Sequence, residues 1–147
     1  MEINGRYFEI SDSGIGYINK ETPPNILGFT VLEIMNCVVV LIKGKGSREG
    51  QLTLIHVHEF SKKDMITAEL EKVQNETENY ETSIILNKKY AKEVYQVLGE
   101  QVVTMLKGLE CKVLQITPTK YQEEGLFADN GDTWGMKTIE IVDIAIE

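Results

Sequence analysis

Two short apolar runs, Cys37-Val38-Val39-Val40-Leu41-Ile42 and Leu52-Thr53-Leu54-Ile55-His56-Val57-His58, constrain this chain more than any other feature. Their β-branched side chains pack well on a pleated surface and lose rotamer freedom in a helix, so both runs read as strands. They are apolar at consecutive rather than alternate positions. A strand of that kind needs cover on both faces, which places the pair centrally between two layers. Gly44, Gly46, Ser47 and Gly50 lie between the runs and supply a chain reversal, so the two strands are expected to be antiparallel neighbours.

The flanking sequence supplies the layers. Arg6 to Ile10 and Ile15 to Lys20 read as short strands around a Ser11-Asp12-Ser13-Gly14 turn. Pro23-Pro24-Asn25 interrupts regular structure, and Ile26 to Met35 resumes as an extended segment ending at Asn36. After Phe60 the apolar period changes from two to about 3.6. Ser61 followed by Asp64 resembles an N-cap with an acidic first turn, and Met65, Ile66, Leu70 and Val73 make one helix face. Thr82 to Leu86 is a strand. Lys88 to Lys107 has helical spacing over about five turns, closed by Gly108. Cys111 to Ile116 is a strand, Gln122 to Trp134 is mostly loop with a hairpin-like Asp129-Asn130-Gly131, and Thr138 to Ile146 is a last strand with a bulge at Val142-Asp143. Strands surround two helices without strict alternation, so the expected class is α+β.

A chain of 147 residues, 42% hydrophobic and 26% charged, fits one domain over 1–147 with a core that needs neither disulfides nor a metal. A formal charge of -8 argues against nucleic-acid binding, which relies on clustered Lys and Arg. The apolar runs fall short of the roughly 18 residues a membrane span needs. The start MEINGRYFEI lacks the basic end and apolar segment of a signal peptide, so a cytoplasmic chain without membrane insertion is expected. Two cysteines beside apolar strands read as reduced thiols.

Chemistry concentrates in the central runs, which hold Cys37 and both histidines. A thiol becomes a nucleophile when an imidazole takes its proton and a third group orients that imidazole. Cys37 and His56 are 19 positions apart, so a reversal near Ser47 puts Cys37 opposite residue 57, give or take one. Either His56 or His58 then shares its face, and sequence does not fix the register, because a slip of one residue swaps faces. The plainer reading of Cys37 is a small buried hydrophobe, and Cys111 is given only that reading. The His-x-His pair also reads as metal ligands, since alternate strand positions point the same way. Lys62 and Lys63 stand where a cupin-like site would next place Glu, and there is no third histidine.

Ile18-Asn-Lys-Glu-Thr-Pro-Pro-Asn-Ile-Leu, Thr30, Cys37-Val-Val-Val-Leu, Gly50 and His56-Val-His-Glu-Phe together resemble the opening of the bacterial chemoreceptor glutamine deamidases, the CheD-like family. The same Cys-His arrangement occurs in toxin deamidases of the cytotoxic necrotizing factor type. The chain carries Met35-Asn36 where the family carries Gly-Ser, and Thr30 stands seven positions before Cys37 rather than six. The resemblance covers roughly residues 15 to 60. It implies layered, largely antiparallel sheets with two helices on one side, and a catalytic set of Cys37, His56 and Thr30. It also implies glutamine deamidation without a cofactor. The expected partners are a protein presenting glutamine side chains and a regulatory protein. The alternative is a non-catalytic protein-binding module on the same fold, and after it a metal-binding protein.

Overall fold

The consecutive apolar positions of the central runs are explained by a sheet that is covered on both faces. The computed structural model describes residues 2–4, 6–11, 13–31, 38–44, 49–58, 60–75, 80–87, 94–109, 111–116, 125–129, 134–136 and 141–144. The elements run β1 (Glu2–Asn4), β2 (Tyr7–Glu9), β3 (Ile15–Ile18), β4 (Gly28–Val31), β5 (Val38–Lys43), β6 (Leu52–Val57), α1 (Asp64–Asn75), β7 (Glu81–Asn87), α2 (Val94–Leu98), α3 (Glu100–Gly108), β8 (Lys112–Ile116), β9 (Gly125–Asp129), β10 (Trp134–Met136) and β11 (Ile141–Ile144). One sheet has the order β11-β8-β7-β5-β6-β3 and the other β1-β2-β4-β9-β10. Pairing is antiparallel except for β2 with β4 and β7 with β8. The class is α+β.

The pleat divides the core in two. Val38, Val40 and Ile42 of β5, with Ile55 and Val57 of β6, pack against Ile66, Leu70 and Val73 of α1 and Val102, Val103 and Leu106 of α3. Val39 and Leu41, with Leu52 and Leu54, face the five-stranded sheet and meet Ile18, Phe29, Val31, Ile10 and Ile26. The layers are therefore sheet, sheet and helices. Each such buried aliphatic side chain contributes about 1.5 to 3 kcal/mol, so the β5/β6 pair, buried at nearly every position, is heavily stabilised.

Several expectations need correction. The helix expected over 88–107 is interrupted: α2 ends at Leu98 and α3 begins at Glu100, because Gly99 lies at φ 83, outside helical backbone. Residues 88–93 lie outside the described set. Ser61 is not the N-cap of α1, which begins at Asp64 with the Thr67 N–H on the Lys63 carbonyl; the Ser61 hydroxyl accepts the His58 N–H at 2.9 Å. The stretch expected to be mostly loop contains β9 and β10, and Trp134 opens the latter opposite Asp129. No bulge occurs at Val142-Asp143, which pair regularly with Gln115 and Leu114. β11 is an edge strand, where a charged residue is tolerated without breaking register.

Two contacts fix how the layers sit. Gly16 of β3 faces the second sheet so closely that an added Cβ would stand 2.5 Å from Ile10 Cδ1 and 2.6 Å from Phe29 Cε1. On the opposite face of β3, the Tyr17 hydroxyl donates to Glu69 Oε1 of α1 at 2.6 Å, and Lys72 Nζ lies 3.3 Å from the same oxygen. Glu69 is 7% exposed, so these partners offset the cost of burying its carboxylate. Burial, then the hydrogen bond and charge of Glu69, push the Tyr17 phenol well above its usual range.

Gly16→Ala should destabilise the protein by about 1 to 3 kcal/mol in urea titration, the usual cost of overpacking. An unchanged midpoint would mean the sheets have slack. The raised Tyr17 value means that the folded state holds a proton which the unfolded chain releases near pH 10. The stability it contributes is present below that pH and is lost as pH rises further. Tyr17→Phe should cost about 1 kcal/mol at pH 7. The gap to wild type should then narrow above pH 10, and a gap that widened would contradict the assignment.

Candidate functional site

His56 lies near the end of β6 and is 3% exposed. Alternation puts it on the face of Leu52 and Leu54, toward the five-stranded sheet. Its backbone is held on both flanks. Val39 stands opposite on β5, and on the other side the His56 N–H donates to the Gly14 carbonyl at 3.0 Å while its own carbonyl accepts from the Ser13 N–H at 2.8 Å.

The ring nitrogen Nδ1 lies 3.1 Å from the Ile10 carbonyl oxygen. A carbonyl only accepts, so Nδ1 carries the proton and the neutral ring presents Nε2 as a lone pair. That is the tautomer required of a base acting through Nε2. Ile10 is itself anchored: its N–H donates to the Thr30 carbonyl at 3.1 Å, and its side chain is buried between the sheets. The turn that follows is closed by the Gly14 N–H on the Ser11 carbonyl at 2.9 Å. Among the described residues Ser13, at φ 62, is the one non-glycine with positive φ, a conformation that costs about 1 to 2 kcal/mol.

His58 is in a different state. Its Nδ1 accepts the Phe60 N–H at 3.3 Å, which puts the proton of the neutral ring on Nε2. Its ring lies 5.3 Å from that of Phe60, which is 83% exposed. Lys63 Nζ donates to the His58 and Ser61 carbonyls at 3.1 and 3.0 Å, tying down the turn after β6. Among the described residues no three His, Cys, Asp or Glu side chains gather as metal ligands, and no helix is long and apolar enough to cross a membrane.

Of the residues expected at the site, His56 and Thr30 are both buried, on β6 and β4 in opposite sheets, and are linked through the backbone of Ile10. Cys37 lies outside the described residues and immediately precedes Val38, the first residue of β5. Sequence reasoning does not find Ile10, because a backbone carbonyl carries no side-chain pattern. Ser13 and Ser61 are visible in sequence only as a turn residue and an apparent cap.

Cys111 packs at the edge of the helix-side core. Burial pushes its thiol up to about 11, against the opposing pull of the Thr82 hydroxyl and the Ile84 backbone. At pH 7.5 iodoacetamide should label Cys111 about a hundredfold more slowly than an unperturbed cysteine, the two-unit rise from 9.0 setting the factor. The rate should climb tenfold per pH unit to about 11, and a plateau near pH 9 by peptide mapping would refute the buried assignment. No family model matches the chain, and no curated protein or solved structure is significantly similar to it.

Proposed function

We propose that the chain is a cysteine hydrolase that deamidates protein glutamine on a CheD-like fold, with Cys37 as nucleophile and His56 as base. The observation that carries the reading is the His56 ring, buried on β6, with Nδ1 committed to the Ile10 carbonyl and β5, the strand that Cys37 precedes, alongside. Thr30 contributes to orientation at one remove, through its carbonyl on the Ile10 N–H.

In the proposed reaction His56 Nε2 takes the Cys37 proton and the thiolate attacks the glutamine Cδ. The carbonyl π electrons move to oxygen, where backbone N–H groups around Cys37 receive the charge. Collapse of this intermediate breaks the C–N bond, and the imidazolium gives its proton to departing ammonia. His56 then takes a proton from water, hydroxide attacks the thioester, and glutamate leaves as the thiol is restored. Overall, carboxamide and water become carboxylic acid and ammonia. No cofactor enters. The substrate is a glutamine presented by a partner protein, and the reading keeps the cytoplasmic setting expected from sequence.

Cys37→Ala and His56→Ala should each lower ammonia release from glutamine-bearing proteins by about a thousandfold or more. His58→Ala should change it only a few-fold, because the His58 ring holds its proton on the other nitrogen. Cys37→Ala should lower stability by about 1 to 2 kcal/mol, so a lost reaction is not a lost fold. Absence of ammonia from wild type across a broad substrate panel, with Cys37→Ala altering only the melting temperature, would leave a non-catalytic binding module.

A further inference from the structure

We propose that Ser13 and Ser61 are a positioning pair that locks the His56 ring in its Nδ1-protonated form, a role that rests on reading His56 as the general base. The two hydroxyl oxygens lie 2.6 Å apart across a sequence separation of 48, and Ser61 is buried at 7% exposure. Glycine would accept the positive φ of residue 13 without strain, and Ser13 adopts it with its hydroxyl against Ser61. The side chain therefore has a task that the turn alone does not require.

That task follows from what each serine touches. The Ser13 N–H donates to the His56 carbonyl, and the Gly14 carbonyl accepts the His56 N–H. The same short turn carries the Ile10 carbonyl that holds Nδ1. Ser61 Oγ also accepts the His58 N–H, so the hydroxyl pair ties the turn before β3 to the turn after β6. His56 lies between these two ties. Loosening the pair lets the turn relax about its backbone bonds, and the Ile10 carbonyl moves with it. Nδ1 then loses the carbonyl to which it donates, and the proton is shared between the two ring nitrogens.

The test is nitrogen NMR on histidine-labelled protein, which has two histidines and so is assigned with a single His58→Ala control. Wild-type His56 should be protonated on Nδ1, with a slowly exchanging proton. In Ser13→Ala and in Ser61→Ala the proton should be shared between the nitrogens and exchange about tenfold faster, the scale of one weakened hydrogen bond. The double variant should go no further, since removal of either hydroxyl already breaks the pair. Ser13→Gly, which relieves the strained φ, should behave like Ser13→Ala and guards against a variant that fails to fold. Unchanged protonation and exchange in both single alanine variants, or a wild-type signature in Ser13→Gly, would overturn the proposal. The readout needs no substrate, so its failure is distinct from failure of the deamidase reading, which is judged by ammonia release.

Discussion

Much of the site hangs on how Ile10 bridges the two sheets. Its side chain fills the space that Gly16 leaves open, its N–H is anchored on the Thr30 carbonyl, and its own carbonyl accepts from His56 Nδ1. A buried imidazole is costly unless its polar atoms find partners. Here one partner is a main-chain group that belongs to neither β5 nor β6. The two sheets are thereby joined by a polar contact inside an otherwise apolar layer, and that contact sets which ring nitrogen holds the proton.

The rest of the architecture keeps this contact still. β6 is flanked by β5 and β3, and its two faces are packed against a second sheet and against helices. A ring mounted on such a strand has little freedom to tilt. On the far face of β3, the Tyr17–Glu69 hydrogen bond holds α1 to the sheet edge. The helix layer thus braces the edge of the sheet that carries His56. The exposed Phe60 and the half-buried His58 lie on the turn beyond β6, outside the packed interior.

What reads directly from the chain is what depends on local pattern. The central strands at Val38–Lys43 and Leu52–Val57, their antiparallel pairing and the helix through Ile66, Leu70 and Val73 all follow from side-chain type and period. Misreadings arise where one residue's local preference meets a competing partner. Ser61 has the look of a helix cap, yet its hydroxyl is taken by Ser13 and the His58 N–H. Gly99 sits in a run with convincing helical spacing, and its freedom to adopt φ 83 divides the helix. β9 follows from pairing with a distant strand, β4, which no local pattern displays, and β10 pairs in turn with β9.

For the histidines the division is sharper. Sequence by itself determined that His56 lies on a buried strand beside an apolar partner strand, with His58 at its end, because composition and alternation decide burial. It also left His56 and His58 as equals, since residues two apart on a strand point to the same face. Only the tertiary structure gave the two rings different hydrogen-bond partners. The register of Val39 against His56 turns that ring toward the Ile10 carbonyl, while His58 accepts from Phe60 at the rim. The physical reason is that tautomer and orientation depend on which backbone group, 46 residues away, arrives within hydrogen-bond reach.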